Sequence, residues 1–349
     1  MISIGMDVHV RNSFLHAVDA NGATCWRGRC PNRFRDLAEV LGEFEGEHVR
    51  LSLESTTNSR AIHRLVHQAA AHMGVDLEAQ VLNARKLRII AQSVTKNDRL
   101  DAAVLADLTR ADLRLPTCYL PDDEEFTLRE HLRARDDLVT LRTRIKNRIH
   151  AVLHRRGLLV PSGMDLFTAH GHAFLAELEL DDAGRDILNR YLATMERFDA
   201  VIAESTAALR ALARRPRWCK PMALLTTMPG IGLITALTIL AELGDRTRFR
   251  GRSAVANYAG LVPVVRSSNR THHYGHITKR GSKHLRKVLV EAAWMAQSRV
   301  PQYQALFERV AKGRGKKIAI VAVARRMLED AWVMLKKDEA FRMTPSDAG

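Results

Sequence analysis

Along the first third of the chain, apolar positions alternate with polar ones in short runs and then change to a helical spacing. SIGMDVHV is a short apolar stretch with Asp7 in its second half. NSFLHAVDANG reads as a second strand that ends at an Asn21-Gly22 turn, so the two can pair as a hairpin. TCWRGRC is a third strand. HVRLSLEST is a fourth, with Val49, Leu51 and Leu53 on one face. RAIHRLVHQAAAHMG is helical and stops at Gly74. LEAQVLN is a fifth strand, ARKLRIIAQ follows it, and NDRLDAAVLADLTRADL is a further helix. A strand meander followed by helix, strand and helix is an α/β order.

Beyond Pro116 and Pro121 the period becomes helical throughout. In residues 122–215, Leu138, Leu141, Ile145, Ile149 and Val152 make one stripe. Leu188, Tyr191, Met195, Phe198, Ile202, Leu209 and Leu212 make a second, in alternating steps of three and four, with Ser205 filling one slot. Gly157, Pro161 and Gly163 separate them. The pattern predicts an antiparallel helical hairpin or an oligomerising coiled coil, with a plain bundle core as the simpler alternative. RRPRW is a linker. LLTTMPGIGLITALTILAELGD then reads as helix, Pro-Gly-Ile-Gly turn, helix, a form that can aim backbone N–H groups at a phosphate. SKHLRKVLVEAAWMAQ and KKIAIVAVARRMLEDAWVMLKK are helices, preceded by the polar segment RSSNRTHHYGHITKRGS. The predicted architecture is α/β plus all-α, in three parts at 1–118, 122–215 and 218–342.

Composition changes this picture little, and charge changes it a great deal. The 349 residues suit two or three domains. No apolar run reaches the ~18 residues of a membrane span. MISIGMDV lacks the basic start and cleavage site of a secretory signal. Cys25, Cys30, Cys118 and Cys219 form no CxxC pair. A folded cytoplasmic protein is expected, with no membrane partner. Residues 1–217 hold 31 basic and 30 acidic side chains, whereas residues 218–349 hold 23 and 9. Between Asp245 and Glu291 there are 11 Lys or Arg and no acid. A solubilising surface does not require acids to be excluded over so long a stretch. A field of this kind draws polyanions, most commonly nucleic acid.

Two constellations could carry chemistry. Asp7 lies on the first strand and Glu54 at the end of the fourth, while Asp98 and Asp101 are three apart on one helical face. Four carboxylates in one cleft repel unless a cation neutralises them, and oxygen-only ligands favour Mg²⁺ or Mn²⁺ over Zn²⁺. Such metals polarise a phosphodiester. Singly, each acid is more often a solvated or capping residue. The second constellation is Ser267-Ser268 inside the acid-free stretch. A serine hydroxyl can attack phosphorus and hold the strand as a phosphoserine ester, given cations and a base or metal to take its proton. Arg266, Arg270, Lys279 and Arg280 are near in sequence, as are His272, His273 and His276. Lys283, Arg286 and Lys287 extend the candidate nucleic-acid-binding set. A polar loop is the plain alternative.

MDVH, LEST, KNDRLDA, MPGIG, YAGLVP…SSN and KRGSKHLRKVL together resemble the IS110-family transposases, the DEDD recombinases related to the Piv invertases. The resemblance runs from about residue 1 to 340, and its specificity lies in the ordered set. It implies an N-terminal RNase H/RuvC-like domain, a coiled-coil segment, and a mainly helical C-terminal transposase domain with a helix-hairpin-helix-like turn. It implies DNA cut and rejoined without free ends by four acids with Mg²⁺ (or Mn²⁺) and a C-terminal serine. It also implies guidance by a structured noncoding RNA that pairs with target and donor DNA. By position the acids are Asp7, Glu54, Asp98 and Asp101. The serine is Ser268, with Ser267 second. Asn269 stands where the family usually has Gly, and Asn97 where members often have Thr. The chain carries no GxxxxGK[ST] loop, in keeping with bond energy conserved as a covalent ester. A homo-oligomer, dimer or tetramer, is expected, associated with the nucleoid when active. Two other readings remain: a metal-dependent Holliday-junction resolvase or nuclease that uses the acids alone, and a non-catalytic nucleic-acid-binding protein that uses only the basic third.

Overall fold

The computed structural model describes residues 1–84, 86–87, 98–111, 115–268 and 271–343, with the backbone alone for 98–100, 265–268 and 271–274. It divides into two compact units, Met1–Leu120 and Pro121–Gly349.

The first unit is a five-stranded sheet. In chain order its elements are β1 (Ile2–Val8), β2 (Asn12–Val18), β3 (Thr24–Pro31), α1 (Phe34–Gly42), β4 (His48–Glu54), α2 (Ser59–His72), β5 (Asp76–Leu82) and α3 (Asp98–Arg110). The spatial order is β3-β2-β1-β4-β5. β1, β2 and β3 form an antiparallel meander, and β4 and β5 add in parallel to β1. Period-two alternation separates the two faces. Ile4, Met6, Leu51 and Leu53 are fully buried with Leu37, Leu41, Ile62 and Val66 of α1 and α2. The opposite face carries Gly5, Asp7 and Ser52 and is covered by α3. A Cβ at Gly5 would lie 2.0 Å from the Ala102 carbonyl oxygen and 2.4 Å from the Ala106 nitrogen, so only glycine lets the helix backbone seat there. Next to it, the Thr109 hydroxyl bonds the Ser52 hydroxyl at 2.6 Å. The sequence reading passes over α1, although Leu37, Val40, Leu41 and Phe44 follow the helical period and are all buried. ARKLRIIAQ lies mostly outside the described residues.

The second unit is helical: α4 (Asp123–His154), α5 (Ala169–Glu177), α6 (Asp182–Ala213), α7 (Pro216–Thr226), α8 (Leu233–Leu243), α9 (Arg252–Ala259), then β6 (Pro263–Ser268) and β7 (Thr271–Ile277), and finally α10 (Lys283–Ala296), α11 (Pro301–Arg314) and α12 (Lys316–Lys337). Asp122 caps α4 by accepting from the Glu125 N–H at 2.9 Å, and three acids in the first turn suit the helix dipole. α4 and α6 are antiparallel: Arg135 bonds Thr206 at 2.8 Å, Arg142 pairs with Asp199, and Arg156 pairs with Asp181 at 2.5 Å. Of the two apolar stripes, Leu188, Met195, Ile202, Leu209, Ile149 and Val152 are buried within the unit. Leu141 of the first stripe faces solvent, 42% exposed.

The base of this hairpin contributes Leu128, Leu132 and Leu209 to a core shared with α7, α8, α10 and α12. The Pro-Gly-Ile-Gly turn joins α7 to α8 as the spacing predicts. Gly230 has φ +91°, and a Cβ added there would stand 2.6 Å from the Ala292 carbonyl oxygen of α10. The segment read from sequence as merely polar forms the β6–β7 hairpin, and α9 and α11 are helices beyond those the spacing predicts. Among the described residues no helix is long and apolar enough to cross a membrane.

Candidate functional site

The acidic constellation is assembled by the sheet. Met6 of β1 pairs with Leu53 of β4, so Asp7 and Glu54 follow side by side at the C-terminal ends of neighbouring parallel strands. Both fall on the α3 face, two residues beyond Gly5 and Ser52. α3 runs opposite to β1. Its Arg110 lies by Gly22, in the turn at the N-terminal end of β1, and its Ala102 lies over Gly5. Asp98 precedes Ala102 by four residues, about 6 Å along a helix, and Asp7 follows Gly5 by two, about 6.6 Å along a strand. The first turn of α3, with Asp98 and Asp101, is therefore level with Asp7 and Glu54. The side chain of Asp98 lies outside the described residues, as does Asn97.

Asp7 is 9% exposed. A carboxylate so deep in a fold requires compensation. His9 supplies part of it, with Nε2 3.2 Å from Asp7 Oδ2. The turn that carries His9 is pinned because its carbonyl accepts from Asn32 Nδ2 at 2.8 Å and Asn58 Nδ2 at 3.1 Å. This partner escapes the sequence reading, although MDVH places His9 two residues from the acid, one strand period away. Glu54 and Asp101 are half-buried. Among the described residues no three His, Cys, Asp or Glu side chains are close enough to hold a metal ion. Asp7, Glu54 and Asp101 thus share an edge of the fold. As a donor set they fit a hard divalent cation, since all their candidate ligand atoms are carboxylate oxygens.

The serine constellation lies in the second unit, on β6. Ser268 pairs with Thr271, Ser267 with His272 and Arg266 with His273. Both serines are thus at the distal end of a two-stranded hairpin. Their side chains, those of Arg266, His272 and His273, and residues Asn269 and Arg270 lie outside the described ones.

The basic residues divide by what they touch. Lys279, Arg280 and Lys283 are exposed. They are carried by a tight turn against the end of α9, where a Cβ at Gly281 would stand 1.9 Å from the Tyr258 oxygen and one at Gly260 2.6 Å from the Arg280 oxygen. Ser282 then caps α10 by accepting from the Leu285 N–H at 3.1 Å. Arg286 instead donates to the Ala259 and Gly281 carbonyls at 2.9 and 3.0 Å, and burial lowers its pKa. Lys287 pairs with Asp136 of α4, which His284 also reaches at 3.2 Å. Burial works to raise the Asp136 pKa, but the hydrogen bonds and charges of Lys287 and His284 hold it below the usual carboxylate range. A cavity of about 880 Å³ adjoins the base of the hairpin, with Lys279, Arg314 and Lys317 around Ile277, Ile318 and Val321.

Two family models match. One, for the DEDD transposases of IS110 and described as a transposase, covers residues 4–156. The other, the transposase IS116/IS110/IS902 family, covers residues 222–308. The chain belongs to the IS110 family of transposases. Its activity class is accordingly that of an enzyme acting on DNA. It is 28% identical over 287 residues to the transposase for insertion sequence element IS1111A of Coxiella burnetii, spanning 79% of this chain and 76% of that protein. It is 24% identical over 344 residues to the transposase for insertion sequence element IS1328 of Yersinia enterocolitica, spanning 97% and 98%. The pilin gene-inverting protein of Moraxella bovis is 33% identical over 121 residues, 34% of this chain and 38% of that protein.

Proposed function

We propose that this IS110-family member recombines donor and target DNA at specific sites, with Asp7, Glu54, Asp98 and Asp101 as a divalent-metal site and Ser268 as the nucleophile. The observation that carries the reading is the edge where β1, β4 and the first turn of α3 bring these four acids to one level. The sheet order, with two parallel strands beside an antiparallel meander and a helix over the acidic face, supports an RNase H/RuvC-like assignment. Mg²⁺ or Mn²⁺ bound there would neutralise the carboxylates and polarise a phosphodiester. The Ser268 hydroxyl gives its proton to a base as Oγ bonds to phosphorus, the bond from phosphorus to the leaving strand oxygen breaks, and that oxygen takes up a proton to leave as a hydroxyl. In the reverse step the hydroxyl of the new partner strand displaces the serine. The ester stores the bond, so rejoining needs no nucleotide triphosphate. In the sequence, the acid-free stretch flanks the serine with donors and cations of the kind suited to the charge that develops.

Lys279, Arg280 and Lys283, with Arg266 and Arg270, are proposed to bind nucleic-acid phosphates, and a structured noncoding RNA is proposed as the guide. The exposed Leu141 of the first stripe supports a coiled-coil contact between copies of the chain. Soluble operation at the nucleoid follows from this reading. The deciding experiment offers a nicked suicide DNA substrate to the full chain and maps the covalent adduct by peptide mass. The expected adduct is on Ser268, lost in Ser268→Ala while nucleic-acid binding persists. Recombination by the Ser267→Ala/Ser268→Ala double variant would reject the serine and leave the acids acting on water.

A further inference from the structure

The sheet register places a second set of side chains in line with the acids. Asp7 pairs with Phe14 of β2, and Phe14 pairs with Arg29 of β3. With Glu54 next to Asp7 on the other side, one row crosses four strands: Glu54, Asp7, Phe14, Arg29. At about 4.8 Å per strand, Arg29 sits roughly 10 Å from Asp7.

The row lies on the α3 face, and three observations fix that side. Cys30, the neighbour of Arg29, is buried and feels Asp36 and Glu39 of α1, so it points to the opposite face. Arg27, two residues away and therefore on the side of Arg29, acts electrostatically on His16. His16 in turn is the cross-strand partner of Gly5, the glycine beneath α3. α3 thus covers the Ser52, Gly5 and His16 part of that row, and Arg27 at its β3 end is exposed. The row one step further along β1 lies at the beginning of the helix. There Phe14 is half-buried and Arg29 is exposed.

We propose that this row is the seat of the DNA strand that is cut: the Phe14 ring takes the face of a base next to the scissile phosphate, and Arg29 takes a phosphate of the same strand. The row is charge-complementary to such a strand only in one sense. Its acidic end repels phosphate unless a cation is bound, and its Arg29 end attracts it, so the register sets which part of the strand lies over Asp7. An aromatic face next to a guanidinium is the pairing that single strands use without sequence preference. The inference rests on the acid-edge reading above and names two binding residues that reading lacks.

The test measures affinity in the Asp7→Asn full chain, so it needs no cleavage. Fluorescence anisotropy with a fluorescein-labelled single-stranded DNA oligonucleotide of mixed sequence, and with its RNA counterpart, is followed over a salt series. Arg29→Gln should reduce the log-log salt slope for DNA by roughly 0.7. Phe14→Leu, which keeps an apolar side chain but removes the ring, should weaken DNA binding by roughly 5- to 100-fold. Arg35→Gln, on α1 across the sheet, should change neither. Unaltered DNA binding in both row variants overturns the proposal. So does an equal loss in Arg35→Gln, which would mean general charge, or a loss confined to RNA. If instead Asp7→Asn itself still cuts DNA, the acid-edge reading fails, while the affinities still decide whether the row binds a strand.

Discussion

The two units hold their candidate chemistry in opposite ways. In Met1–Leu120 the acids sit at the ends of central strands and on the first turn of a helix that touches the sheet backbone. In Pro121–Gly349 the serines are at the end of a two-stranded hairpin, and the exposed cations ride on a turn. The first arrangement leaves almost no slack: a methyl group at Gly5 would enter the backbone of α3. At Gly275 of β7 the nearest atom to an added Cβ is 3.6 Å away, an ordinary van der Waals separation. A carboxylate set that shares a cation must be held to a fraction of an ångström. Phosphate attraction acts over a Debye length and tolerates motion. Close backbone packing therefore holds both the acids and the turn beneath Lys279 and Arg280, whereas the hairpin strand is open at Gly275.

Breaking the acid edge should have the largest effect. Asp7→Asn is expected to abolish strand cleavage and spare nucleic-acid binding, measured by gel assay and anisotropy. Retained cleavage would remove Asp7 from the chemistry. Next comes the backbone packing that supports it. Gly5→Val should destabilise the first unit by about 3 kcal/mol or more, seen as an earlier unfolding transition by circular dichroism. Gly275→Ala should change stability by less than about 0.5 kcal/mol. Equal effects would erase the contrast between the units.

Among the cations, the structure separates those that face solvent from those engaged with the fold. Replacing Lys279, Arg280 and Lys283 with Ala should reduce the salt slope of duplex binding by up to roughly 0.9 for each phosphate that is no longer neutralised. Lys287→Met should act chiefly on stability. The Asp136 pKa is lowered in the fold, so its pairing contributes stability above the unfolded carboxylate pKa and loses it as pH falls through the folded value. The variant should show a shallower acid limb in a melting-temperature profile. A salt slope altered as much by Lys287→Met as by the triple change would return Lys287 to the binding surface.

The smallest effect concerns His16. Burial lowers its pKa, with Arg27 adding to the shift. A histidine held neutral in the fold is protonated first in the unfolded chain. Stability of the first unit should therefore be full above about pH 6.5 and fall as pH drops below it. His16→Gln should flatten that limb; an unchanged profile would assign the loss to other groups.

The local order of the chain was enough to place the five strands, the long helices and the acids on them, because period-two and period-3.6 burial are properties of adjacent residues. The net charge of the last third was legible for the same reason. Three things were decided only in three dimensions. Whether a lysine or arginine is engaged within the fold depends on what faces it: Lys287 meets Asp136, 151 positions away. The polar segment after Val262 became a hairpin because its two halves satisfy each other's backbone groups, a pairing that residue character alone does not announce. The line from Glu54 through Asp7 and Phe14 to Arg29 exists only as strand register. A one-residue slip between strands would send these side chains to opposite faces without changing the composition or periodicity of any strand.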